Sequence, residues 1–242
     1  MSVRLSTLPD FTRRDAGVAT VSTWRVGTLE RQRAAVEAIT HVWRSRAWPD
    51  GGPLSYSVLT GNDGETLLHY AQWRDQASYQ AFAATDRDER VAEIDAAVPG
   101  IERMGLRPYA LYRAQGLTGQ PDGTPLVPGC VVAVDVEFEG PDPVRQRDWV
   151  DTVRTAIETD PHLAPGGISA FFHVSTDGTR VLNLAGWVSE QAHVDALSAR
   201  GRGIGSDTEQ WRAVRNHPGV RGSTVTRFTP AVSLSSASDT AG

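Results

Sequence analysis

Two pairs of side chains stand at a spacing that could grip a flat aromatic molecule. His69 and Trp73 lie four residues apart, and so do Asn183 and Trp187. Each pair falls in a run of β-forming residues, Thr66 to Trp73 and Arg180 to Trp187. Side chains alternate along a strand, so residues four apart share a face. In each pair a hydrogen-bonding group therefore stands beside a large ring, which suits an aromatic ligand that needs stacking and one fixed polar contact. A Trp that closes a strand can equally be core, with its polar neighbour satisfying a backbone group.

Both pairs sit in copies of one stretch. Asp63-Gly64 and Asp177-Gly178 are turn dipeptides, each followed by a strand-like run ending in Trp. Asp63 to Asp177 and Trp73 to Trp187 are both 114 positions apart, so the block repeats without a gap. Around the first copy the pattern reads strand Val18 to Val26, helix Leu29 to Arg46, strands Leu54 to Leu59 and Thr66 to Trp73, a helical region from Asp75 to Pro99, and strand Leu106 to Arg113. The helix expectation rests on Leu29, Val36, Ile39 and Trp43 falling along one face. The second half repeats the order with Val131 to Phe138, Val144 to Thr159, Ile168 to Val174 and Arg180 to Trp187. After Glu190 the copies diverge, because Pro99-Gly100 matches Pro218-Gly219 at an offset of 119, which predicts a five-residue insert within Ala199 to Ser206.

The order is β-α-β-β-α-β twice, an α+β fold of two ferredoxin-like halves. The expected organisation is an arm over 1–16, a first domain over 17–115, a linker over 116–129 rich in Gly, Pro, Thr and Asp, a second domain over 130–230, and a disordered tail over 231–242. Such a unit covers one sheet face with helices and leaves the other to be buried elsewhere. Two units in one chain can bury those faces against each other as a barrel-type pseudo-dimer.

Composition excludes several activities. The chain of 242 residues has no lysine, so Schiff-base chemistry, a Walker-type phosphate loop and lysine-held pyridoxal phosphate are all ruled out. A formal net charge of −5 without a basic stripe argues against nucleic acid as a partner. The single cysteine, Cys130, excludes an internal disulfide and fits a cytoplasmic location. No signal peptide or membrane-length apolar stretch is present, so no membrane partner is expected. The histidines, His41, His69, His162, His173, His193 and His217, lack the spacing of a metal site, and no metal is expected. Gly201, Gly203 and Gly205 lie in the insert rather than after a strand, so they read as a surface loop and not as a phosphate cradle.

The tandem halves, the strand ending in Trp, the helix after it and the Pro-Gly-hydrophobic segment before the last strand together resemble the antibiotic biosynthesis monooxygenase family over residues 17 to 230. The resemblance implies a dimeric α+β barrel fold. It also implies oxidation of an aromatic, polyketide-like phenol or anthrone to a quinone, with O2 as co-substrate and with neither metal nor flavin. Trp73 and Trp187 match the family Trp, Asn183 matches an Asn four residues before it, and Tyr79 matches a Tyr six residues after it. His69 stands in place of that Asn, and His193 in place of that Tyr. The family's first-strand Asn has no counterpart, since Ser22 and Val136 lie near its place. On this reading Asn183 holds a substrate oxygen, Tyr79 relays a proton, and His69 and His193 exchange protons near neutral pH. Trp73, Trp187, Ser22 and Trp24 contact a small aromatic substrate. A haem-degrading branch of the same fold would need a histidine where this chain has Ala83 and Leu197. The alternatives are a polyketide cyclase of the same fold and a non-catalytic barrel that binds an aromatic ligand. A homodimer of the pseudo-dimer is a further expectation.

Overall fold

The computed structural model describes residues 3–116, 126–160, 165–199 and 203–236. Most of the expected linker (117–125), His162, Gly201 and the last part of the expected tail (237–242) lie outside them. In chain order the elements are β1 (Val3–Ser6), β2 (Val18–Arg25), α1 (Leu29–Ser45), β3 (Ser55–Gly61), β4 (Thr66–Trp73), α2 (Gln76–Thr85), α3 (Arg87–Ala97) and β5 (Glu102–Gly116). These are followed by β6 (Cys130–Phe138), α4 (Pro143–Thr159), β7 (Gly167–Ser175), β8 (Arg180–Trp187), α5 (Glu190–Ser198), α6 (Glu209–Arg215) and β9 (Val220–Ser236). Among the described residues, no helix is long and apolar enough to cross a membrane.

The chain divides into two compact units, one running to Tyr109 and resuming at Phe228, the other covering Ala110–Arg227. In the first, the strands run β1-β9-β3-β4-β2-β5, and the order β2-α1-β3-β4-α2/α3-β5 is the expected split βαβ. Its central strand β4 is buried at every residue from Leu67 to Trp73, so both of its edges and both of its faces are covered. The hairpin before β4 closes at Gly64, whose φ of 75° is open to glycine at little cost. Asp63 Oδ1 accepts from the backbone N–H groups of Glu65 and Thr66 there, at 2.8 and 3.0 Å. Helix α1 starts where the Thr28 side chain accepts from the Arg31 N–H. It lays Ala35, Ile39, Val42 and Trp43 against Val58, Leu67 and Trp73 in the core of this unit.

The second unit has the order β5-β7-β8-β6-β9 with α4, α5 and α6. The repeat seen in sequence persists in its fine structure. Gln32 on α1 donates to the carbonyls of Gly61 and Thr66, and Gln146 on α4 donates to those of Ser175 and Arg180. Both amides are buried and clamp the two ends of a hairpin, adding a side-chain donor to carbonyls where the strands meet the turn.

Several expectations are corrected. The two units divide at Tyr109/Ala110 and Arg227/Phe228, within β5 and β9, and not into 17–115 and 130–230, and β5 runs without a break past Arg113, where the predicted strand ends. Residues 231–236 are strand and not disordered tail. Small and polar in composition, they are held by pairing with β3, from Val58 opposite Val232 to Ser55 opposite Ser235. The expected arm contains β1, paired with the same segment. The single helical region after Trp73 is two helices that break at Asp86, whose N–H closes the first on the Phe82 carbonyl. Leu29 is 51% exposed, since the buried face of α1 runs through Gln32, Ala35, Ile39 and Val42 instead. The insert adds a 3-10 turn at Gly203–Gly205 ahead of α6.

Candidate functional site

A cavity opens between the sheet and the helices of the first unit, with about 670 Å³ of atom-free space, part of it open to solvent. Strand alternation builds its floor. Thr20, Ser22 and Trp24 come from one face of β2, and His69, Ala71 and Trp73 from the facing side of β4, with Ser22 directly opposite His69. Tyr56 of β3 lies at the side, and Trp43 of α1 with Tyr79 and Phe82 of α2 forms the apolar wall. The charged side chains in the lining are Arg87 and Arg90 of α3, without a carboxylate among them.

The rings are packed in mutual contact. Trp43 lies 4.8 Å from Tyr56 and 5.9 Å from Phe82 between centroids, and Trp73 meets Tyr79 edge-on at 5.3 Å. Trp73 is held in place by its Nε1–H, which donates to Thr20 Oγ1 at 2.9 Å. Trp24 packs against the His69 ring at 4.0 Å between centroids, and the Arg103 guanidinium lies 4.6 Å over the Trp24 ring.

Two buried polar side chains in this cavity each leave nitrogens without a partner among the described residues. His69 is 4% exposed, its Nδ1 lies 2.7 Å from the Tyr56 hydroxyl, and its Nε2 has no hydrogen-bond partner among the described residues. Arg90 is likewise 4% exposed. Its Nη2 donates to the Ala47 carbonyl at 3.1 Å and its guanidinium lies 4.5 Å over the Trp43 ring, but Nε and Nη1 are unpartnered. Buried donors left unmet cost stability, so positions like these point to a ligand that meets them.

Burial, and to a lesser degree the charge of Arg103, lowers the His69 pKa to about 3. In the other unit, burial and then Arg227 lower that of His193 to about 4. Both imidazoles are therefore neutral at pH 7, which corrects the expectation that they exchange protons near neutrality. They are hydrogen-bonding groups instead.

Of the residues singled out by sequence, the cavity brings together Ser22, Trp24, His69, Trp73 and Tyr79. Asn183, Trp187 and His193 belong to the second unit and do not line it. There His193 accepts from Arg227 Nε at 3.0 Å and meets Trp187 edge-on at 4.9 Å. Strand register shows what replaced the polar floor in that copy. Val134 is opposite Asn183 where Ser22 is opposite His69, Val132 takes the place of Thr20, and Val136 that of Trp24. Ala170 stands where Tyr56 does. Val136 is thus the counterpart of Trp24, two residues beyond the place matched to Ser22.

Sequence reading missed Tyr56, Trp43 and Arg90 as site residues. Arg90 had a signal, since it shares the apolar stripe of α3 with Ile94, and a charged residue on a buried stripe is rarely there without a task. Among the described residues, no cluster of three or more His, Cys, Asp or Glu is placed to hold a metal ion.

Comparison with known structures shows the fold. A structure of an anthrone oxidase-like protein superposes with a TM-score of 0.66 at 16% identity, covering 91% of this chain and 93% of the other. A protein assigned as a monooxygenase from Fusobacterium nucleatum matches with a TM-score of 0.55 at 9% identity, covering 91% and 95%. One assigned as a chlorite dismutase matches with a TM-score of 0.52 at 12% identity, covering 89% and 95%. No protein-family model matches the chain, and no curated protein matches it in sequence. The same scaffold carries more than one chemistry, so the site has to carry the functional argument.

Proposed function

We propose that the first unit is the active half of a cofactor-independent monooxygenase that oxidises an aromatic, polyketide-like phenol or anthrone to a quinone with O2, in the biosynthesis of a secondary metabolite. The observation that carries this reading is a cavity walled by aromatic rings in which buried nitrogens, His69 Nε2 and Nε and Nη1 of Arg90, are left without partners among the described residues. Flat rings between Trp24, Trp43 and Trp73 would be held by stacking, and oxygen atoms at the rim of the ligand would meet His69 and Arg90.

In such a reaction an anthrone methylene loses a proton, and the carbanion passes one electron to O2. The two radicals then combine to a peroxide, and loss of water leaves the quinone carbonyl. One O2 is consumed and one water released for each methylene oxidised. The substrate supplies the electrons, and the protein stabilises its anion. Arg87 pairs with the exposed Asp88 at 3.2 Å, so it is the buried guanidinium of Arg90 that would stabilise the anion and lower the substrate's own pKa, most strongly where water is excluded. Tyr79, which lines the cavity, would relay the proton outward. The packing of both halves as a barrel-type pseudo-dimer is part of the same reading.

The test is O2 uptake, followed in parallel with absorbance, when chelator-treated, flavin-free protein meets a simple anthrone. Arg90→Met and His69→Ala are expected to lower kcat/KM by roughly 100- to 1,000-fold each, as for loss of a single anion-stabilising donor, while Asn183→Ala leaves it unchanged. Uptake no faster than the spontaneous rate across several anthrones and naphthols would overturn the oxygenase reading in favour of a cyclase or a binding protein. Equal losses in the Asn183 variant would overturn the assignment to the first unit.

A further inference from the structure

His69 can carry its single proton on either ring nitrogen, and the two choices make opposite groups of it. With the proton on Nδ1, the cavity-lining ring offers a lone pair at Nε2; with the proton on Nε2, it offers a donor. The structure holds one neighbour that decides between them, the Tyr56 hydroxyl at 2.7 Å from Nδ1.

Counting unmet groups favours one state. If Nδ1–H donated to Tyr56, the phenol proton would have no acceptor among the described residues and Nε2 would have no donor. If the phenol donates to Nδ1, only the Nε2–H is left unmet, and it sits on a ring that lines the cavity. Burial also raises the Tyr56 pKa above its ordinary value, so the phenol keeps its proton. The ring geometry is fixed from two further sides, by Trp24 at 4.0 Å and by near-parallel stacking on Tyr56 at 5.8 Å.

We infer that Tyr56 is a positioning residue, whose O–H makes Nδ1 of His69 an acceptor and thereby fixes the tautomer that presents Nε2–H to a substrate oxygen. His69 then acts as a neutral donor to the oxyanion that develops when the substrate loses its proton, and not as the base that removes it. The second unit shows the alternative solution. Where the strand carries Asn183, an amide has a donor of its own and needs no tautomer set, and the place of Tyr56 is taken by Ala170.

The inference rests on reading this cavity as the substrate site, and its first test does not depend on activity. Protein labelled with 15N in histidine is examined by NMR, with His69 assigned by its absence in His69→Asn. A pyrrole-type Nε2 and a pyridine-type Nδ1 are expected in the wild type, with the Nδ1 resonance moving in Tyr56→Phe, which retains the ring and removes only the hydroxyl. A proton on Nδ1 in the wild type, or an Nδ1 resonance unmoved by the substitution, overturns the proposal.

The second test is a double-mutant cycle on the oxidation. Tyr56→Phe should lower kcat about tenfold with KM little changed, and should have no effect when introduced into His69→Asn. The same loss in both backgrounds would show that Tyr56 acts on the substrate or the fold directly, and would sink the positioning role. If no substrate is oxidised, the functional reading falls, while the NMR arm still decides the tautomer.

Discussion

Trp73 and Trp187 are the same residue in two copies, equally buried, and differ in one hydrogen bond. Trp73 Nε1 donates to Thr20, whereas Trp187 Nε1 is unpartnered among the described residues, and the register puts Val132 in the place of Thr20. An orphaned buried donor costs about 1–3 kcal/mol, and restoring its partner returns part of that. Val132→Thr should therefore stabilise the protein by up to about 1 kcal/mol, and Thr20→Val should destabilise it by at least as much. Urea unfolding midpoints of the two variants measure both, and a Val132→Thr protein that is less stable than wild type would show that the indole does not need the acceptor. The pairing of His69 with Trp73 was legible from strand alternation alone. Tyr56, which shares this site, was not, because partners across strands depend on register, and register is not written in a single strand's sequence.

At the level of elements, most of the fold could be read in advance. The eight residues of β4 were delimited by the turn at Asp63-Gly64 and by Trp73, and the helices α1 and α4 by their apolar spacing. The ends of β5 and β9 were not legible. The predicted strand Leu106 to Arg113 is a run of 15 residues, and β9, for which no strand bounds were predicted, is a run of 17, because what extends them is pairing with distant segments and not local propensity. Residues 231–236 look like tail in composition, yet Val232 and Leu234 belong to the core of the first unit and Ser57 bonds Ser233 at 2.7 Å. A chain ended after Arg227 should thus lose the covering of β3 and of that core. The expected outcome is loss of cooperative unfolding in the first unit and aggregation through the bared edge of β3, measured by proteolysis and light scattering. A truncated chain that resists protease as the full chain does would contradict the pairing. The break between α2 and α3 also escaped the sequence, since neither proline nor glycine marks it.

Over the whole molecule, three buried histidines tie stability to pH. His69 is held near 3, and His173 and His193 near 4, chiefly by burial. The folded chain keeps these imidazoles neutral, while the unfolded chain takes up protons as pH falls below about 6.5. Falling pH therefore favours the unfolded state, and the effect grows until the folded values are reached. Between pH 7 and pH 5 the three together should remove on the order of 5 kcal/mol. The urea midpoint should fall across that interval, less steeply in His69→Gln, and a flat midpoint would show that these rings are not kept neutral by the fold. The closing of β3 by residues 228–236 has a consequence for how the protein is made. Synthesis is directional, and at roughly 5–20 residues per second the ribosome leaves β3 waiting on the order of ten to forty seconds for its neighbour. During that interval the nascent first half is an incomplete sheet with an open edge, and a cell that makes this protein has reason to hold it on a chaperone until its last strand emerges.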